Sequence, residues 1–158
     1  MALEIERKFL VDKMKWNALL KPTPNYLIQG YLHSEPGKTI RVRASHEKGF
    51  ITIKGKSSAD GLSRSEFEYE IPKLEAVELL SNFTKKTIEK NRYEIEFEGN
   101  VWEVDVFEGD NAGLIVAEIE LESTEQSFAK PDWVREEVTS DFRYFNSALI
   151  EKPFKTWE

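Results

Sequence analysis

Residues Met1 to Val11 read MALEIERKFLV, and within them Glu4, Glu6 and Lys8 alternate with Ile5, Arg7 and Phe9. Side chains on a strand alternate between faces with period two, so the two carboxylates and the ammonium share one face. Lining up adjacent carboxylates beside an ammonium is unfavourable unless a cation and an anion sit between them. This first strand therefore points to metal and phosphate chemistry on the face of a sheet.

The same pattern recurs along the chain. Arg41 and Arg43 stand against Ile40 and Val42, and Lys54 and Lys56 against Ile51 and Ile53. Arg64, Glu66, Glu68 and Glu70 share a face opposite Phe67, Tyr69 and Ile71. Lys90 and Arg92 oppose Tyr93 and Ile95, Asp105 opposes Val104 and Val106, and Glu118 and Glu120 oppose Ile119 and Leu121. A single charged strand face is far more often a solvated surface than a site. Doublets of like sign recurring on strand after strand are different, because an ordinary solvated face pairs opposite charges across strands. If the sheet curls into a barrel, this face points into a wet lumen and helices cover the apolar outside.

Between these strands the chain predicts three helices. Lys13 to Leu20 follows Asp12 as N-cap, with Trp16, Leu19 and Leu20 as its apolar face. Pro72 opens a second helix through Phe83, with a stripe of Leu74, Val77, Leu79 and Leu80. Thr139 to Ile150 reads as the third, with Tyr144, Phe145 and Leu149 buried. Ser57 to Leu62 is a loop, and Gly99-Asn100 joins two strands of a hairpin.

Composition narrows the chemistry. The chain has 158 residues, 40% hydrophobic and 32% charged, with ten Phe, five Tyr and four Trp, which suits one globular domain spanning residues 1–158. A net charge of −7 argues against nucleic acid and anionic membranes as partners, yet leaves room for a local basic groove around a small anion. The absence of Cys excludes thiolate catalysis and thiolate metal sites. His33 and His46 each adjoin a turn and read as solvated loop residues. No stretch reaches the roughly 18 apolar residues of a membrane span, and no leader is visible, so a cytoplasmic location is expected. Carboxylate-rich ligand sets favour Mg2+ or Mn2+ over Zn2+, and Arg and Lys clusters suit phosphoryl oxygens.

Taken in order, E-x-E-x-K at Glu4 to Lys8, R-x-R at Arg41 and Arg43, T-I-K-G at Thr52 to Gly55, R-x-E-x-E at Arg64 to Glu68, K-x-R at Lys90 and Arg92, Asp105, and E-x-E at Glu118 and Glu120 resemble the CYTH or triphosphate tunnel metalloenzyme family. The resemblance covers nearly the whole chain. It implies an α+β fold built on an eight-stranded antiparallel β-barrel, with helices packed outside and a triphosphate and Mg2+ or Mn2+ within. By that likeness Glu4, Glu6, Asp105, Glu118 and Glu120 are the metal ligands, and Glu66 and Glu68 assist a second metal or its water. Lys8, Arg41, Arg43, Lys54, Lys90 and Arg92 match phosphate-binding positions, with Lys8 also in the catalytic group. Lys56 and Arg64 share the strand parity and belong at the tunnel mouth, and Tyr31 falls where related enzymes carry a tyrosine.

The expected activity is metal-dependent hydrolysis of inorganic tripolyphosphate to pyrophosphate and phosphate, by a monomer or homodimer. Rival readings are a class IV adenylyl cyclase acting on ATP, a thiamine triphosphatase, and a non-enzymatic binder of polyphosphate or nucleotide. No base-binding set stands out in the sequence, and a pure anion binder has no use for so many carboxylates.

Overall fold

The computed structural model describes residues 3–157; Met1, Ala2 and Glu158, at the ends of the expected domain, lie outside them. The strands are β1 (Leu3–Val11), β2 (Asn25–Glu35), β3 (Lys38–Ala44), β4 (Gly49–Gly55), β5 (Ser63–Ile71), β6 (Thr87–Phe97), β7 (Asn100–Phe107), β8 (Ile115–Glu120) and β9 (Val134–Glu137). The helices are α1 (Lys13–Ala18), α2 (Lys73–Phe83) and α3 (Asn146–Glu151). Strands pair antiparallel in the order β5-β4-β3-β2-β6-β7-β8-β1, and β1 closes the ring by pairing with β5 through Leu3↔Ser65 and Glu4↔Arg64. The result is the closed eight-stranded barrel that the resemblance implied. The short β9 adds to the far half of β1, through Phe9↔Glu137 and Val11↔Val134; at four residues it is too short to show an alternating pattern.

Alternation decides which residues make the core. The outward residues of β1, β7 and β8, namely Phe9, Trp102, Val104, Ala117 and Ile119, are buried against Trp16 of α1 and Trp133. Their rings meet edge to face: Phe9 and Trp102 lie 5.6 Å apart, and Trp16 and Trp133 5.5 Å. Leu20, expected on the buried face of α1, is instead 97% exposed, because the helix ends at Ala18.

Helix α2 lies over β3 and β4. Its buried face is Ala76 and Leu80, with Leu79 half-buried, while Leu74 and Val77 of the expected stripe are exposed. Close approach explains the rotation: a Cβ on Gly49 would stand 2.5 Å from the Ala76 Cβ. Two small residues bring helix and sheet together, and the bulkier Leu74 and Val77 turn out to solvent. In the β6–β7 hairpin the turn is centred on Glu98 and Gly99, both with positive φ (49° and 81°), one residue earlier than expected. That is the two-residue geometry that matches strand twist.

The third helical segment is broken. A 3-10 turn at Phe142–Tyr144 ends at Phe145, which is extended (φ −67°, ψ 139°), and α3 starts only at Asn146. Leu149 and Ile150 pack with Tyr144 on Ile88, Phe107 and Val116. These three share the inward parity of Lys90, Asp105 and Glu118, so α3 caps one end of the barrel with an apolar plug, whereas α1 and α2 flank its outside. His33 sits within β2 rather than in a loop, and His46 is exposed in the β3–β4 turn. No described helix is long and apolar enough to cross a membrane.

Candidate active site in the barrel tunnel

The inward face of the barrel surrounds a cavity of about 190 Å3. Glu4, Glu6, Lys8, Tyr31, Arg41, Arg43, Lys54, Arg64, Glu66, Glu68, Lys90, Arg92, Glu118 and Glu120 all line it. The strand parity read from the sequence thus converges on one space. Lys56 is not brought in: it lies past the end of β4, exposed, in a neighbouring cavity with Lys38, Phe142 and Ser147. Arg64 and Phe145 line both spaces and so stand at the passage between them. Asp105 does not reach the cavity wall. It is 1% exposed, and both of its oxygens are taken, by Arg92 Nε (2.7 Å), Arg92 Nη2 (2.9 Å) and Lys90 Nζ (2.8 Å).

Carboxylates crowd one wall. On paired strands Glu6 stands opposite Glu120, and Glu103 opposite Glu118. Like charges directly opposite are destabilising, so this wall is built against its own interest unless something positive joins it. Lysines supply part of that charge: Lys8 Nζ lies 2.6 Å from Glu6 Oε1, and Lys54 Nζ 2.8 Å from Glu4 Oε1 and 3.2 Å from Glu66 Oε2. Protons supply the rest. Burial, and then the charge of Glu6, push Glu4 up to about 7 and Glu118 up to about 8, and Glu120 is raised by the same burial with Glu4 next. Burial opposes ionisation of Glu6 too, but Lys8 and Lys54 outweigh it and hold that carboxyl well below its ordinary range. Proximity of Glu118 further lowers Glu6, and that of Glu66 further raises Glu4.

Among the described residues no three acidic side chains form a finished metal cage. The donor set nevertheless fits a hard divalent cation: Glu4, Glu6, Glu118 and Glu120 line one wall, and a cation among them would relieve the burial and mutual repulsion that raise Glu4, Glu118 and Glu120.

The opposite wall is cationic. Arg41 Nη2 donates to Thr52 Oγ1 at 3.0 Å, Thr52 donates on to Glu68 at 2.8 Å, and Arg41 Nε is buried without a partner. Burial, then Arg41 and Arg92, push the Arg43 guanidinium down, the mark of cations crowded with too few anions. Burial also lowers Lys90, to about 7, against the pull of Asp105. For Asp105, burial is outweighed by Arg92 and then Lys90, and its carboxyl stays well below the usual range.

A family model for the CYTH domain matches residues 2–152. The chain belongs to the CYTH family. Among the relatives of this CYTH chain, an inorganic triphosphatase of Acetivibrio thermocellus is 46% identical over 159 aligned residues, covering 100% of this chain and 99% of that one. An inorganic triphosphatase of Nitrosomonas europaea is 38% identical over 150 residues, covering 92% and 95%. A crystal structure of an inorganic triphosphatase superposes with a TM-score of 0.64 at 32% identity, covering 95% of each chain.

Several residues of the CYTH tunnel escaped the sequence reading. Glu103 accepts from Arg92 Nη1 at 3.3 Å, and Thr52 bridges Arg41 to Glu68. Both sit two residues from a recognised site residue, Asp105 and Lys54, so strand parity alone was enough to find them. Phe145 and Asn146 left no such signal. A continuous helix put Phe145 in the core, yet its ring lies 4.8 Å from Lys8 Nζ and 4.9 Å from Arg64 Cζ. Gln29, fully buried on β2, was hidden among apolar neighbours.

Proposed function

We propose that this chain hydrolyses inorganic tripolyphosphate to pyrophosphate and phosphate in its tunnel, with Mg2+ or Mn2+ as cofactor. One observation carries the reading: an acidic wall on β1 and β8 faces a basic wall on β3 and β6 across a cavity of about 190 Å3. A space of that size, lined almost wholly by charged and hydroxyl groups, suits a chain of phosphates with no organic group. The names of the full-length relatives support the same substrate.

In this reading Arg41, Arg43, Lys8, Lys54, Lys90 and Arg92 bind the phosphate chain, with the unpaired Arg41 Nε free to donate to it. Glu4, Glu6, Glu118 and Glu120 would hold the divalent cation, which supplies charge neutralisation and acidifies the attacking water. Glu66 and Glu68, which line the same cavity, would take up the proton of the attacking water. The water oxygen forms a bond to a terminal phosphorus as the bridging P–O bond breaks, and the electron pair leaves with pyrophosphate. Lys8, kept cationic by Glu6 and Glu118 despite burial, stabilises charge on the transferring group. Asp105 orients Arg92 and Lys90 instead of contacting the metal. Tyr31 stands opposite Arg41 on the neighbouring strand and lines the same cavity. A cytoplasmic location, no nucleic-acid partner, and a monomer or homodimer go with this reading.

A second reading rests on the adjoining cavity of about 440 Å3, where Phe142 and Phe145 meet edge to face at 5.0 Å beside Lys38 and Lys56. An organic triphosphate could lodge its aromatic group there. Phosphate release from tripolyphosphate, ATP and thiamine triphosphate, with a parallel assay for cyclic AMP, separates the readings. Tripolyphosphate preferred by at least about tenfold supports the first; preference for ATP or thiamine triphosphate, or formation of cyclic AMP, overturns it.

A further inference from the structure

Two neutral amides link the plug to the basic wall. Arg43 Nε donates to Gln29 Oε1 at 3.1 Å, and Gln29 Nε2 donates to Asn146 Oδ1 at 3.0 Å. The same oxygen accepts from Lys90 Nζ at 2.9 Å. An ammonium has only donors, so the atom of Asn146 that faces it must be oxygen, and the orientation of both amides follows. Asn146 is held from behind by the plug, where Leu149 and Ile150 are buried. Gln29 is 0% exposed and Lys90 1% exposed, so both depend on protein partners of this kind.

Chemistry explains why amides stand here. Arg43 and Lys90 sit close to Arg41 and Arg92, and buried like charges need acceptors to stay in place. A carboxylate at Asn146 would accept the same two bonds more strongly, but it would also cancel charge meant for the polyanion; at Gln29 the amide is needed as it stands, since its oxygen accepts from Arg43 while its nitrogen donates to Asn146. Glutamine and asparagine accept without adding charge.

We propose that Gln29 and Asn146 are positioning residues, neutral acceptors that hold Arg43 and Lys90 toward the tunnel while leaving their charge for the phosphate chain. The inference rests on the triphosphatase reading of those two cations. It makes α3 part of the binding site: the plug sets where the phosphate-binding groups stand.

The test compares Asn146→Asp, which keeps shape and adds charge, with Asn146→Ala and Gln29→Ala, which each remove an acceptor. Three quantities are read: the thermal midpoint, metal-free binding of tripolyphosphate by calorimetry, and KM and kcat with Mg2+. Asn146→Asp is expected to melt at or above the wild-type temperature, yet bind tripolyphosphate about tenfold or more weakly, with KM rising in step and kcat within about threefold. Asn146→Ala is expected to raise KM about fivefold, because Lys90 keeps Asp105 as a partner, and Gln29→Ala to raise it by a similar factor as Arg43 loses its acceptor. An Asn146→Asp variant that binds as tightly as wild type overturns the inference, as does a loss of binding in that variant that merely tracks a loss of melting temperature. If wild type binds and turns over tripolyphosphate while all three variants match it, this inference alone fails. If wild type does neither, the triphosphatase reading fails and takes the inference with it.

Discussion

Lys54 Nζ lies 2.8 Å from Glu4 Oε1. In the proposed reading this sets an ammonium that binds phosphate against a carboxylate that holds the cation, as Lys8 is set against Glu6. Cation entry and phosphate binding would each loosen these contacts, which couples the two ligands. Lys54→Ala is therefore expected to move two affinities in opposite directions. Calorimetric binding of Mn2+ without substrate should tighten several-fold as a competing cation is lost, while KM for tripolyphosphate rises about tenfold or more. Weakening of both affinities would mean that the lysine holds the acidic wall together rather than competing for it.

The raised carboxyls give metal-free protein a distinctive pH dependence. Glu4 and Glu118 keep protons to about 7 and about 8 when folded, but release them near 4.5 when unfolded. The stability they contribute is complete below the unfolded value and is lost as pH rises through the folded ones. The melting temperature of metal-free protein should thus fall between about pH 5 and pH 8. Glu118→Gln, which cannot ionise, should flatten the slope, and so should saturating Mg2+. A slope that is unchanged in Glu118→Gln would show that this carboxyl is not the source.

Asp105, itself buried, is held by three donors, two from half-buried Arg92 and one from buried Lys90. Removing its charge strands two cations in the interior, a change that typically costs about 3–5 kcal/mol. Asp105→Asn is expected to lower the melting temperature of metal-free protein by roughly 10 °C while leaving the calorimetric affinity for Mn2+ within about threefold of wild type. Abolished metal binding in a variant that still folds would restore Asp105 to the ligand set.

The contact between Ala76 and Gly49 governs how α2 lies on the barrel. Ala76→Leu should push the helix off the sheet and cost about 1–3 kcal/mol in denaturant unfolding, with KM for tripolyphosphate unchanged. A stability equal to wild type would mean that the helix seats on other residues.

Strand parity made the tunnel legible before any coordinates, because each doublet such as Glu4–Glu6 or Arg41–Arg43 fixes its own direction once the strand is recognised. What parity cannot supply is depth along the tunnel. Asp105 and Lys56 share the inward parity of their neighbours, yet one is sealed behind Arg92 and the other lies outside the cavity. Helix faces were less legible, since the Ala76–Gly49 approach depends on a partner distant in sequence. The plug was least legible of all. The Thr139 to Ile150 pattern satisfies a helix, and only the tertiary contacts of Phe145 with Lys8 and Arg64 explain why the chain is extended at that residue.

The central claim is that the acidic wall holds a catalytic divalent cation against a bound inorganic triphosphate. Phosphate release from tripolyphosphate, measured with and without Mg2+ or Mn2+ in wild type, Glu4→Gln and Glu118→Gln, tests it most directly. The account predicts release that requires the metal and falls by about 100-fold or more in both variants, with melting temperatures at or above that of metal-free wild type at pH 8. Release that proceeds without metal, or that survives in Glu4→Gln and Glu118→Gln at near wild-type rates, would contradict it.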